Sequence, residues 1–156
     1  MKTKKQHPLD ISLCHEVQVH YKRPLYDNEQ RLTSSMATES LLRDFVDINR
    51  LDYKEFFWVI LLSNANQVLG VSEISIGNTT GTYINYKEIA QLALLTNATG
   101  VIIAHNHPSG ILKASNSDHA TTKSLKKTLD TLHIKLLDHI ILTSESYISF
   151  ADEGWL

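Results

Sequence analysis

The chain has 156 residues, of which 42% are hydrophobic and 21% are charged, and its formal net charge at pH 7 is −2. This length is typical of one domain with a core of its own, and the composition excludes a disordered or fibrous chain. The single cysteine excludes an internal disulfide framework and a cysteine-rich zinc finger.

Neither the apolar runs nor the first residues indicate a membrane or secreted protein. The longest unbroken apolar run, Phe56 to Leu62, has seven residues, whereas a membrane span needs about 18. Residues 1–10 carry lysines without an apolar stretch behind them, so we expect no signal peptide, no membrane partner and a cytoplasmic location. The slightly acidic charge also argues against nucleic acid as an obligate electrostatic partner.

The first 36 residues differ in pattern from the rest of the chain. We expect residues 1–36 to form an N-terminal extension, in which Val17 and Val19 alternate with polar residues as in a strand. Residues 37–156 are expected to form the domain. Its elements, in chain order, are predicted to be a helix capped by Thr38, a hairpin of strands 55–62 and 68–76, a loop at 78–81, a helix over 87–97, a strand over 101–104, a helix over 116–133 and strands over 134–143 and 147–150.

This element order, αββαβαββ, predicts the fold class. Helices and strands that are mixed along the chain indicate an α/β (α+β) domain in which a sheet is covered by helices on more than one side. The sequence does not indicate an oligomeric state.

Two histidines stand where the predicted strand 101–104 ends. His105 and His107 are two residues apart, so on an extended segment both imidazoles point to the same side and can reach one ion. Pro108 and Gly110 then turn the chain. Alone, such a pair is more typical of partly exposed polar residues.

A second polar pair follows at the start of the next predicted helix. Ser115 and Asp118 have the spacing of an N-terminal capping box, which is the simplest interpretation of that pair alone. Taken with the histidines, Asp118 becomes a third ligand. His105, His107 and Asp118 would leave one tetrahedral position open for water, as in catalytic zinc sites, so Zn²⁺ is the first choice of metal.

A carboxylate is needed to take a proton from such a water, and Glu73 is the candidate. Glu73 is the carboxylate in a predicted strand that is largely apolar, and Leu69 and Val71 are expected to share its face. Burial among apolar side chains raises a carboxyl pKa toward values suited to a general base. An edge-strand glutamate that points into water is the alternative.

Together these residues resemble the JAMM motif of the MPN+ (Mov34/PAD-1) metalloproteases: Glu73, then His105-Asn106-His107-Pro108, Ser115 and Asp118. Other blocks are similar to one bacterial branch, the RadC-like proteins, over about residues 37–156. These blocks are Gly77, Asn97-Ala98, His105-Asn106-His107-Pro108-Ser109-Gly110, Leu137-Asp138-His139-Ile140 and Tyr147-Ile148-Ser149-Phe150.

The resemblance implies a curved mixed sheet flanked by helices, related to the cytidine-deaminase-like fold, and a zinc-dependent peptidase or isopeptidase. His105, His107 and Asp118 would hold one Zn²⁺ per chain, Glu73 would be the general acid/base, and Ser115 would donate a hydrogen bond to the oxyanion. Zinc-activated water would attack the carbonyl of a peptide or isopeptide substrate, and Glu73 would return the proton to the leaving amine.

An interaction module in DNA processing or repair, with the same fold and no peptidase turnover, is the alternative function. RadC-like proteins usually carry an N-terminal helix-hairpin-helix region, and residues 1–36 are too short for one and lack its glycine-rich hairpins. The implied link with DNA is correspondingly weaker.

Two further histidines lie near the motif. His139 is expected to be buried, where it hydrogen-bonds a neighbouring strand or supports the metal ligands from behind. His119 should point away from the ion. A nucleobase deaminase is excluded because it needs a Pro-Cys-x-x-Cys motif that one cysteine cannot supply.

Overall fold

The protein is described from a computed structural model, in which residues 20–22, 31–76 and 84–156 are placed. Within these ranges the elements are α1 (Ser35–Phe45), a short 3-10 helix (Ile48–Arg50), β1 (Phe56–Leu62), β2 (Val68–Ile76), α2 (Tyr86–Leu95), β3 (Gly100–Asn106), α3 (Asn116–Asp130), β4 (Lys135–Leu142) and β5 (Tyr147–Ser149). The predicted order αββαβαββ is confirmed. The predicted strand around Val17 and Val19 and the predicted loop at 78–81 lie outside the described residues.

The five strands form one mixed sheet in the order β2-β1-β3-β4-β5. Strands β3 and β4 are parallel and are joined through α3, since a parallel connection must cross the sheet. The other three pairs are antiparallel.

Helices cover both faces of this sheet. On one face, Phe57, Val59 and Ile103 pack against Ile89 of α2 and Leu125 of α3. We call this the α2/α3 face.

On the opposite face, Trp58, Ile60 and Ile140 pack with Leu42 of α1 and with Leu51. We call this the α1 face. All seven residues of β1 and all seven of β3 are buried, as expected for central strands with helices on both sides. The predicted α/β class is therefore observed.

The start of α1 corrects one prediction. Ser34, not Thr38, is the N-cap, and its side chain accepts a hydrogen bond from the Ala37 N–H. Thr38 lies one turn inside the helix, where it is buried and its hydroxyl donates to the Ser34 carbonyl. Leu32 is already part of the core, so packing begins before residue 37, where we expect the domain to start.

Helices α2 and α3 both end two or three residues before their predicted ends, and the two endings share one cause. Asn97 after α2 and His133 after α3 adopt left-handed φ angles of 55° and 57°. This conformation breaks the helix and lets the next N–H, that of Ala98 or Ile134, close back on the last turn. No helix in the described ranges is long and apolar enough to cross a lipid bilayer.

Candidate metal centre

His105 and His107 lie at the end of β3, on the α2/α3 face of the sheet. The ring of His105 is almost fully buried and stacks on Phe57, its partner across β1, with ring centroids 6.3 Å apart. The backbone N–H of His107 donates to the Leu142 carbonyl and so extends the pairing of β3 with β4 by one hydrogen bond. Their Nε2 atoms are 3.0 Å apart, which confirms that the two-residue spacing aims both rings at one point.

Asp118 reaches the same point from the first turn of α3. Its Oδ1 is 3.3 Å from Nε2 of His105, and its Oδ2 is 3.7 Å from Nε2 of His107. One ligand atom from each of the three side chains lies within 4.8 Å of the others. The sequence prediction that these residues come together is therefore confirmed by the fold.

The capping-box interpretation of Ser115 and Asp118 also holds. Asp118 Oδ2 accepts hydrogen bonds from the backbone N–H and the hydroxyl of Ser115, at 2.6 and 2.7 Å, and the Asp118 N–H donates to Ser115 Oγ. The cap therefore fixes the carboxylate that faces the two histidines. Capping and ligation are compatible roles, and here one pair of residues can perform both.

A hydrogen bond to the backbone determines which ring nitrogen of His107 carries the proton. Nδ1 of His107 is 2.8 Å from the Ile111 carbonyl, which can only accept, so Nδ1 donates. In the neutral ring, Nε2 then presents a lone pair to the point where the three side chains meet.

A chain of hydrogen bonds does the same for His105. The Thr122 hydroxyl donates its only proton to the Asp118 carbonyl at 2.7 Å, so it must accept from Nδ1 of His139, also at 2.7 Å. In neutral His139, Nε2 then accepts a hydrogen bond that Nδ1–H of His105 donates, at 2.8 Å. The Nε2 lone pair of His105 is left facing His107 and Asp118.

His139 is fully buried, as predicted from the sequence, and its pKa lies well below the ordinary value because burial and the neighbouring His105 disfavour the cation. It hydrogen-bonds His105 on the side away from Asp118, which is where polar partners of metal-binding histidines commonly lie. His119 lies outside the group; it is exposed and packs against Phe150 and Trp155.

When both rings are neutral, three electron-pair donors thus converge with no proton between them, and a cation, either a metal ion or a proton on one ring, relieves their mutual repulsion. Burial raises the pKa of Asp118, but hydrogen bonds to His105 and His107 outweigh it and hold that pKa well below the usual range. The hydrogen bond to Asp118 raises the pKa of His107 despite burial. Two imidazoles and one carboxylate fit a divalent metal ion, and they leave further coordination positions for solvent.

Glu73 does not join this group, which corrects its assignment as the general acid/base. Its carboxylate accepts hydrogen bonds from Arg50, at 3.3 and 3.4 Å, and from the Trp58 indole N–H at 3.2 Å. Residues paired across antiparallel strands share a face, and Glu73 is paired with Trp58 on the α1 face. The sheet therefore separates Glu73 from His105.

An irregularity in β2 causes this placement. Phe57 pairs with Ser75 and Trp58 pairs with Glu73, so Ile74 is an extra residue. In a regular strand Glu73 would share the face of Ser75, which is that of Phe57 and His105; the extra residue turns it to the other face.

Leu69 is a second extra residue in β2, between Val68 and Gly70 in the pairing with β1. It packs on the α2/α3 face, whereas Val71 packs on the α1 face. The expected common face is therefore confirmed for Val71 and Glu73, which pair with Ile60 and Trp58 on the α1 face, and wrong for Leu69.

Glu55 is the carboxylate that the sequence analysis missed. It immediately precedes β1 and lines the same pocket as His105 and His107, and its charge contributes to the raised pKa of His107. Its position beside the site follows from the pairing of β1 with β3, which sets Phe57 opposite His105. The only sequence signal is a glutamate at the polar end of a very apolar strand.

The pocket over the metal-ligand group has a volume of about 790 Å³ and is open to solvent. Apolar walls come from Phe57, Ile84 and Ile111, and polar groups from Glu55 and Ser115. The site therefore combines a partly buried group of two histidines and an aspartate with space above it for a bound molecule.

Comparison with known proteins agrees with this arrangement. The family model of the RadC-like JAB domain matches residues 32–155. A UPF0758 protein of Flavobacterium johnsoniae is 38% identical over 125 residues, which cover 80% of this chain and 53% of the relative. A UPF0758 protein of Chromobacterium violaceum is 38% identical over 136 residues, covering 86% of this chain and 60% of the relative.

A more distant UPF0758 protein, from Histophilus somni, is 30% identical over 148 residues, which cover 95% of this chain and 65% of the relative. The chain thus spans between about half and two-thirds of the length of these relatives. Because the family model covers nearly all of the described fold, including His105, His107 and Asp118, the chain belongs to the RadC-like JAB domain family.

Proposed function

We propose that this protein is a zinc-dependent hydrolase of amide bonds, a peptidase or isopeptidase of the JAMM type. The observation that carries the proposal is the convergence of His105, His107 and Asp118 within 4.8 Å at the floor of a pocket that Glu55 also lines. Two histidines and one carboxylate are a ligand set typical of catalytic zinc sites.

Each protein group has a defined part in such a reaction. A divalent cation held by the three ligands would polarise the substrate carbonyl and lower the pKa of a water toward about 7. Glu55 accepts a proton from the attacking water as the new C–O bond forms. It then gives that proton to the amine nitrogen as the C–N bond of the amide breaks.

Ser115 supplies the hydrogen bond to the developing oxyanion. Its hydroxyl leaves Asp118 Oδ2 for this purpose, while the Ser115 backbone N–H, at 2.6 Å, continues to hold that carboxylate. Asp118 thus stays in place for the metal while the Ser115 hydroxyl hydrogen-bonds the substrate oxyanion.

The test uses zinc-loaded protein, Glu55→Gln and Glu73→Gln with a mixed library of peptides and isopeptides, and reads the products by mass. We expect the parent and Glu73→Gln to cleave the same bonds. Glu55→Gln should keep its zinc and lose about 10²–10⁴-fold in rate, the usual contribution of a general base. Cleavage by Glu55→Gln at the parent rate would refute the role of Glu55.

The DNA-processing alternative has one supporting observation, the exposed lysines Lys123, Lys126 and Lys127 on α3. If this alternative is correct, the parent binds branched or single-stranded DNA in a salt-dependent way. Glu55→Gln would bind DNA equally well, and neither protein would cleave the library.

A further inference from the structure

Asn106 stands between the two histidine ligands, and its side chain points away from them. His105 faces the α2/α3 side of the sheet, so the next residue along the strand faces the α1 side. There the Asn106 side chain is fully buried, yet it belongs to no step of the proposed reaction.

All of the hydrogen-bonding groups of this amide are used on one segment of backbone. Its Oδ1 accepts from the Phe56 N–H at 2.7 Å, and its Nδ2 donates to the carbonyls of Leu51 and Lys54 at 2.6 and 2.7 Å. The two hydrogens of Nδ2 are thus assigned to two different carbonyls.

These bonds fall on both sides of Glu55. The ladder between β1 and β3 ends at the pair Phe57–His105, and the Asn106 amide continues it by one step at Phe56. Lys54 and Phe56 are the two chain neighbours of Glu55, so the backbone that carries this carboxylate is fixed on each side.

We propose that Asn106 is a positioning residue that sets Glu55 in register with the metal ligands. This positioning role rests on the proposed role of Glu55, and Asn106 itself does not line the pocket. Because Asn106 is bonded covalently to His105 and His107 and by hydrogen bonds to both flanks of Glu55, it ties the ligands and the base into one rigid unit.

The experiment measures the distance from Glu55 to the bound metal without a substrate. Protein with ¹³C-labelled glutamate carboxyl carbons is loaded with Mn²⁺, and the paramagnetic broadening of each carboxyl signal is recorded. The signal that is missing in Glu55→Gln identifies Glu55. In the parent we expect it to be the most strongly broadened glutamate, and in Asn106→Ala we expect the broadening to fall while the Mn²⁺ affinity stays at the parent value.

Two further variants keep the test decisive. Asn106→Ser retains a hydrogen-bonding group in a smaller side chain, so it serves if the alanine variant does not fold, and it should give an intermediate result. Asn49→Ala makes the same substitution in the nearby 3-10 helix, where the exposed amide hydrogen-bonds Asp47, and it should match the parent.

On any cleaved substrate, Asn106→Ser should lower kcat by up to about 100-fold, the loss that a small misplacement can cause. It should cause no further loss in a Glu55→Gln background. Unchanged broadening at Glu55 in both Asn106 variants would overturn the inference. Failure of the parent itself to bind Mn²⁺ would refute the metal site, a result distinct from a change confined to the Asn106 variants.

Discussion

Thr122 contributes no atom to the metal-ligand group, yet its hydroxyl determines which nitrogen of His105 is free. Its hydroxyl is committed to the Asp118 carbonyl, so His139 must donate to it and accept from His105. Removal of the hydroxyl leaves both tautomers of His139 open, and in one of them His105 no longer directs a lone pair at the metal.

We therefore predict that Thr122→Val lowers zinc affinity by about 10–100-fold, the usual effect of losing a partner behind a ligand. Competition against a chromophoric chelator measures this affinity. Thr128→Val is the matched control because Thr128 makes the same bond, to the Ser124 carbonyl one turn back, on the same helix. Equal affinities for the two variants would show that the chain behind His105 has no influence on the ligand.

The site residues differ in how far sequence could predict them. His105, His107 and Asp118 are readable because their geometry is local: a two-residue spacing on a strand, and a cap at the start of the next helix. Glu55 is not, because its place depends on the pairing of β1 with β3, a contact between residues about 50 positions apart.

At the scale of elements, α3 supplies a ligand through its own N-terminal cap. Ser115→Ala should cost about 1 kcal/mol of stability, the usual value for an N-cap, and should also weaken zinc binding because Asp118 loses the Ser115 hydroxyl. Ser34→Ala removes the cap of α1 and is the control, with a similar loss of stability and unchanged zinc affinity.

Denaturant unfolding of the metal-free variants gives the first quantity and calorimetric titration with zinc gives the second. If both variants weakened zinc binding equally, the effect of Ser115 would be one of stability alone. If neither did, the Ser115 hydroxyl would have no part in orienting Asp118.

The strands and helices themselves follow local patterns and were predicted with boundaries close to those observed. What local patterns do not carry is the register between strands. The extra residues Leu69 and Ile74 arise from the fit of β2 against β1, and they decide the face on which Glu73 lies. The strand that holds Glu73 was therefore predicted correctly from its local pattern, whereas the role of Glu73 was assigned wrongly because it depends on the register.

At the scale of the whole molecule, pH should control zinc binding, because a proton and the zinc ion compete for Nε2 of His107. The hydrogen bond to Asp118 raises the pKa of His107, so the imidazolium persists to higher pH than an ordinary histidine would allow. Metal ions bind neutral imidazole, and zinc affinity should therefore be full above this raised pKa and fall as the pH is lowered through it. The pKa of Asp118 lies far below this window, so the carboxylate stays ionised throughout.

Chelator competition between about pH 8 and about pH 6, the range in which histidines titrate, measures this dependence. The parent should lose affinity steadily toward the acidic end. A constant zinc affinity across the range would mean that His107 is not among the ligands.

The number of zinc ions retained per chain is the most direct test of the metal centre. Protein stripped with a chelator and reloaded with zinc should retain one ion per chain, and so should His119→Ala, which replaces the exposed histidine next to Asp118. His105→Ala and Asp118→Ala should each retain none after the same dialysis. A parent protein that keeps no zinc, or ligand variants that keep as much as the parent, would contradict the metal centre on which the proposed function depends.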